Sequence, residues 1–450
     1  MDRSPHFSDA LPKAGAYDTV MTLAPGRANK VITVSLLWGC QAFSFLIRYA
    51  LGVAAPTLMG LYQVSPKTMG YILSGWNWSY TGALLFIGPL VDRFGPWIVM
   101  GIGSVVWGLS TVALPIAGAA ASLFLMRVIF GMGHSMLISA TATTISREFP
   151  AKERTRVIAV AFSGSQVGLA AGAPIAAFLL ARFGWQSVFY CIGGASLLLT
   201  VAWFLFYPDK RIGRLAAQPD RANRSGPQRI PWISLFRYRS TWGIALGQMG
   251  YLYAYFFFVS WLPGYLVLER KMTVLTSGMI AALLFGAGLL GTLGGGWLGD
   301  YLIERGVSPT VSRKSIIGVG LTAATVTVIA AAFIEQSWLA VTLLTLCVGC
   351  IRLTTGSVNS LSIDLAPLSV VGSLTSIQNF FGNVGGLLAP IVTGYIVSGT
   401  GSFVGSLVVA GGMALFGAIA YVFIMGNLET GRIEPRLPAA VVRVSPSEAV

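Results

Sequence analysis

Three arginines and one histidine stand inside runs of apolar residues, where an ionised side chain is expensive. Arg48 lies about two-thirds of the way along ITVSLLWGCQAFSFLIRYALGVAAPTL, residues 32–58. Arg127 and His134 share ASLFLMRVIFGMGHSMLISATATTIS, and Arg352 falls in WLAVTLLTLCVGCIRLTTGSVNSLS. An arginine at the centre of a membrane helix costs roughly 2.5–3.5 kcal/mol on insertion scales, and more if it has no partner. No acid lies within a helical turn of Arg48. Its cation either snorkels toward the headgroups or faces a wet cavity where something negative arrives, and the recurrence of such arginines favours the cavity. Seven residues make two helical turns, so Arg127 and His134 lie on one face. No Asp or Glu falls inside any run clear of its ends, so a cavity lined by these residues carries an uncompensated positive potential. The planar fork of arginine binds both oxygens of a carboxylate. The chemistry expected is capture of a small organic anion. His134 titrates near neutrality in its ordinary state and is the candidate for linking that capture to proton movement.

Other polar groups in the same runs are candidates for the wall of the cavity. Tyr80 ends WNWSY, and Gln248, Tyr251 and Tyr255 crowd GQMGYLYAYFFFVSWLPGYL. Ser165 lies in the fifth run, Asn379 and Asn383 in the eleventh. Tyr251 and Tyr255, four apart, share a helix face that Tyr253 does not join. For each of these residues, packing or interface anchoring is the alternative to substrate contact. Asp92 and Arg93 close the second run and Asp300 the eighth. They are expected to gate, by pairing with helix ends across the mouth, and not to touch substrate. Cys347 and Cys350 form a C-x-x-C, but within an apolar run and without other ligands it reads as packing. All four cysteines fall in such runs, which argues against a disulfide framework. The runs hold no paired carboxylates, no metal-ligand cluster and no nucleophile–base pair. An enzyme is therefore not expected, nor any cofactor beyond coupled protons.

These groups need a scaffold, and composition names its solvent. The 450 residues are 55% hydrophobic and 10% charged, with mean hydropathy +0.73; soluble chains carry about 25% charged residues. The chain is thus an all-α polytopic membrane protein, and its 54 glycines suit close packing of membrane helices. Twelve spans of membrane-crossing length fall at about 32–58, 68–90, 97–116, 120–145, 156–181, 186–207, 241–267, 275–302, 314–334, 337–361, 371–397 and 402–426. The net charge of +14 sits mostly in short loops, which excludes nucleic acid as partner and points to the lipid bilayer. Segments 147–156, 209–239 and 300–314 are the basic ones, so by the positive-inside rule both termini are cytoplasmic. The even number of spans demands the same.

Residues 209–239, with eight basic residues and two acids, split the chain six plus six. The division expected is a cytoplasmic tail over 1–30, a six-helix bundle over 31–208, a cytoplasmic linker over 209–240, a second bundle over 241–427 and a tail over 428–450. The first 30 residues lack the short apolar core and cleavage site of a signal peptide. The halves repeat each other. GPLVDRFG (88–95) answers to GWLGDYLIERG (296–306), and GSQVGLAAGAPIAAF (164–178) to GNVGGLLAPIVTG (382–394). A shared displacement of about 210–216 residues is the mark of a duplicated six-span unit that encloses a site near the midplane.

Twelve spans in two halves, the central loop and GPLVDRFG after the second span resemble the major facilitator superfamily, although the usual basic continuation gives way to Pro96 and Trp97. More narrowly, four stretches resemble the anion:cation symporter family, which includes bacterial carriers of galactonate, glucarate and hexuronate. They are SGWNWSYTGALLFIGPLVDRFG, REFPAKERTRVIAVAFSGSQVGLAAGAP, SWLPGYLVLERKM and SIDLAPLSVVGSLTSIQNFFGNVGGLLAPIVTG. In that family an Asp-Arg pair in the first span, and an Arg followed seven residues later by Glu in the fourth, mark substrate and proton sites. Arg48 and Arg127 match, while Ile47 and His134 stand where the acids belong. The resemblance implies the major facilitator fold and an inner-membrane carrier of a small organic anion (a mono- or dicarboxylate, a sugar acid or an aromatic acid) working by alternating access as a monomer. Proton-linked symport is expected, and exchange or facilitation without protons is the alternative. A drug or cation efflux carrier is disfavoured by the missing acids.

Overall fold

In hydrocarbon, a chain this apolar can satisfy its backbone hydrogen bonds only within helices or closed barrels, and the described residues form helices joined by short loops. The computed structural model describes residues 27–149, 151–207, 232–366 and 371–428. Most of the two tails and of the linker lies outside the described residues. The helices are α1 (Arg27–Tyr62), α2 (Pro66–Phe94), α3 (Pro96–Ala113), α4 (Ala120–Glu148), α5 (Ala151–Phe183), α6 (Trp185–Phe206), α7 (Arg239–Leu268), α8 (Val274–Glu304), α9 (Pro309–Phe333), α10 (Ser337–Leu353), α11 (Thr355–Leu365), α12 (Val371–Thr400) and α13 (Val404–Ile419). Eleven helical stretches among the described residues are long and apolar enough to cross a membrane, α10 and α11 counting as one. With α2 they give the twelve spans expected from the sequence.

Two features were not legible beforehand. The tenth span breaks at Thr354, two residues after Arg352. There α8 crowds in so closely that a Cβ on Gly295 would meet Leu353 O at 1.8 Å. The twelfth span ends in a π-helical turn, Ala420–Ile424.

The duplication is visible in how helices pair. In the first bundle α1 packs on α5 and α6, α2 on α4, and α3 on α4 and α6; in the second, α7 packs on α12 and α13, α8 on α10, and α9 on α10 and α13. Glycines set the closest of these approaches. A Cβ on Gly168 would stand 2.1 Å from Ala42 O in α1, and one on Gly385 would stand 2.2 Å from Met249 O in α7. The starts of α2 and α8 also match, each capped by a hydroxyl: Ser65 accepts from Thr68 N and Thr273 from Thr276 N, which satisfies an otherwise orphan donor.

The bundles meet through α2 on α12, α5 on α8, and α1 on α7, a pattern that exchanging the two halves leaves unchanged. Loops join α1 to α2, α5 to α6, α7 to α8 and α12 to α13 at the end away from the chain termini. Contacts between the bundles gather toward that end. Tyr71 and Tyr395 hydroxyls lie 3.1 Å apart, and Lys67 Nζ sits 4.5 Å from the Tyr395 ring centre. Deeper, Asn77 Nδ2 donates to Asn383 O at 2.7 Å. The ring contacts of Tyr49 with Phe285 and of Trp76 with Phe256 also join the bundles between that mid-height level and the loop end. These contacts join the bundles from mid-height to the loop end.

Candidate functional site

α1 carries Arg48 to mid-height on the face turned toward the second bundle. Its guanidinium carbon lies 3.8 Å from the ring centre of Trp76, 5.2 Å from Phe45 and 4.3 Å from Phe256 of the second bundle. The residue is 9% exposed. It does not snorkel to lipid headgroups; it faces the seam. Arg127, 2% exposed, leans on Phe130 with 5.0 Å from guanidinium carbon to ring centre. Its Cβ lies against Gly75, where a Cβ would come within 3.1 Å. From the opposite bundle Arg352 reaches Tyr255 at 4.9 Å, and its Nη1 donates to the Tyr251 hydroxyl at 3.2 Å. That hydroxyl in turn pairs with Thr355 at 2.9 Å. Tyr251 and Tyr255 do share the face that their spacing requires.

His134 sits in a box of rings: Phe45, Trp76, Tyr80 and Phe130, with centroids at 5.5, 5.9, 5.4 and 5.6 Å. Its Nδ1 is buried without a hydrogen-bond partner, as is the Nε of each of the three arginines. Among the described residues the ion pairs are Lys30–Glu153 and Arg313–Asp364, so no carboxylate neutralises the arginines. Glu148, the buried acid of α4, is held instead by Thr33, at 2.9 Å, and by Tyr207.

Magnitudes decide what this arrangement is for. A cation over an aromatic face gains about 0.5–2 kcal/mol. Burying an ion costs several kcal/mol even after relaxation. Ring contacts therefore do not offset the burial of three guanidinium groups, which leaves a deficit of the kind that an anionic partner would relieve.

The remaining sequence candidates divide. Tyr80 belongs to the cluster, tilted on Trp76 at 5.6 Å. Ser165 is buried but donates to Phe162 O of its own helix at 2.7 Å. Gln248 accepts from Tyr421 at 2.8 Å and from Gln378 at 3.3 Å, inside the second bundle. Asn383 donates to Asn379 O, and exposed Asn379 to Thr375 O. None of these four makes a hydrogen bond with an arginine of the cluster. Arg93 and Asp300 are exposed and enter no ion pair among the described residues; the side chain of Asp92 is outside them. The expected pairing of Asp92 across the mouth therefore lies outside the described residues.

Sequence reasoning missed the rings. Phe45, Trp76, Phe130, Phe256 and Phe285 are unremarkable in a chain with 25 phenylalanines and 12 tryptophans. One signal was available: Phe45 precedes Arg48 by three residues and Phe130 follows Arg127 by three, the helical spacing that lets side chains meet. The four cysteines are free, and Cys347 Sγ lies 3.4 Å from Ala324 O, which fits the packing role.

Comparison with known proteins follows the same outline. The sequence profile of the Major Facilitator Superfamily matches residues 37–390. The chain is 30% identical over 409 residues to the probable L-galactonate transporter of Escherichia coli (strain K12), covering 89% of this chain and 90% of that one. It is 30% identical to the hexuronate transporter of Bacillus subtilis (strain 168), covering 88% and 94%. It is also 30% identical to the probable galactarate/D-glucarate transporter GarP of E. coli (strain K12), covering 92% and 98%. Among solved structures, an inward-facing, occupied bacterial homolog of the human lysosomal transporter Spinster superposes with a TM-score of 0.78 at 17% identity, covering 91% of this chain and all of that one.

Proposed function

The chain belongs to the Major Facilitator Superfamily, and from that premise we propose that it moves a small organic anion across the inner membrane by alternating access, with Arg48 and Arg127 holding a carboxylate. Arg352 serves a second anionic or polar group from the opposite bundle. The observation that carries this reading is a set of three buried guanidinium groups, free of acids among the described residues, at the seam between the two bundles. With both termini on the cytoplasmic side, as the positive-inside rule requires, the end joined through Tyr71 and Tyr395 faces away from the cytoplasm. The sugar-acid transporters among its relatives support the same class of cargo. A bound anion neutralises cations contributed by both bundles and so favours their closure around it.

Proton coupling is the finer part of the proposal. Ile47 and His134 occupy the positions where the resemblance to anion:cation symporters places acids, which leaves His134 as the coupling candidate. The same loss of acids favours a second reading, exchange or facilitation without protons.

The test is uptake of labelled organic acids by proteoliposomes containing the purified chain or its Arg48→Gln or Arg127→Gln variant. Truncating one member of a buried charge pair costs about 2–5 kcal/mol, so uptake should fall by at least ~30-fold with folding unchanged. Uptake that survives both substitutions would refute the role.

A further inference from the structure

The wall between the cationic poles is built of rings. From it we infer that the cargo is an aromatic acid, a carboxylate on a planar ring with a second acidic group across that ring, and not a polyhydroxylated sugar acid. The inference rests on the organic-anion reading above and narrows it. Phe256 faces Arg48 and its neighbour Tyr255 faces Arg352, with the two ring centres 6.2 Å apart. One pair of adjacent rings thus separates the poles. Trp76 stacks on Phe256 at 5.7 Å with 19° between planes. Phe285 meets Tyr255 at 6.5 Å and Tyr49 at 5.0 Å, both edge to face. A flat ring gains offset or edge contacts against such surfaces, while guanidinium forks take its carboxylates.

A sugar acid asks for something else. Each hydroxyl that leaves water must find a partner or bear the cost of burial unpaired. Five amides and hydroxyls of these helices make hydrogen bonds inside the protein. Asn77 and Asn383 donate to backbone carbonyls, as does Ser165. The oxygen of Gln248 takes Tyr421 and Gln378, and Tyr251 holds Arg352 and Thr355. The buried groups left without a partner on α1, the Tyr49 hydroxyl and the Gln41 amide seven residues before Arg48, provide for one or two substituents and not for a chain of hydroxyls.

Thermal-shift titration of the purified full chain, backed by competition for uptake in proteoliposomes, ranks benzene-1,4-dicarboxylate, benzoate, hexanedioate, galactonate and galactarate. Apolar walls without paired partners disfavour an added hydroxyl by up to ~100-fold. Benzene-1,4-dicarboxylate should therefore bind about 100-fold more tightly than galactarate, and more tightly than benzoate. Galactonate or galactarate in first place overturns this inference and leaves the organic-anion reading intact. Binding by none of the five acids overturns both. Phe256→Leu keeps apolar bulk and removes the ring, so the preference for benzene-1,4-dicarboxylate over hexanedioate should shrink by about 2–10-fold. An undiminished preference in folded Phe256→Leu overturns the wall assignment; if that variant does not fold, the ranking by the unaltered chain decides.

Discussion

Gly70 and Gly394 set how closely the bundles meet at the loop end. A Cβ at position 70 would stand 2.4 Å from Pro390 O, and one at 394 would stand 2.5 Å from Pro66 O. Both neighbours are backbone atoms that no side-chain rotation can move. Gly70→Ala or Gly394→Ala must therefore push α2 away from α12. Overpacking of this kind costs about 1–3 kcal/mol, and here the cost falls only on the conformation in which that seam is shut. A bias of that size changes the ratio of two conformations by about 5–150-fold. Spin labels on Gln63→Cys and Ser398→Cys, exposed positions at the loop end of each bundle, report the change as a longer separation in double electron–electron resonance. Gly131→Ala is the control. A Cβ there would lie 2.0 Å from Trp76 O, but α4 and α2 belong to one bundle, so the variant should lose thermal stability without separating the labels. An unchanged distance distribution in folded Gly70→Ala, or equal separation in Gly131→Ala, would refute the argument that this seam is a moving contact and not a fixed one.

Other consequences can be checked with the same material. His134→Gln should preserve exchange of anion for anion while abolishing stimulation of uptake by a pH gradient; stimulation that persists in proteoliposomes assigns coupling to another group. Tyr251→Phe removes the hydroxyl that fixes Arg352, a bond of about 1 kcal/mol net. Affinity for diacids should fall about 5-fold by that figure while monoacid affinity is kept, as measured by thermal-shift titration.

Much of the site was legible because charge in an apolar run is rare enough to count. Arg48, Arg127, His134 and Arg352 stood out on burial cost alone, and helical spacing already placed Arg127 with His134 and Tyr251 with Tyr255. Ser165, Gln248, Asn379 and Asn383 were equally conspicuous as polar residues in spans, yet they bond within their own helix or bundle. The hydrogen-bonding capacity of a side chain is written in its type; which partner takes it up is a matter of packing.

The sequence by itself determined that the chain is helical, that it crosses a membrane twelve times in two repeated halves, and that cations without acids lie at its centre. Hydropathy, repeat displacement and the cost of burying charge are properties of residues in order, and they need no coordinates. Tertiary structure alone decided where the two halves touch, since Tyr71 and Tyr395 are 324 positions apart and no local pattern joins them. It also decided that rings from both bundles, Trp76 and Phe256 above all, line the space around Arg48. Aromatic residues are common in any membrane helix, and only the approach of two bundles selects the few that face an ion.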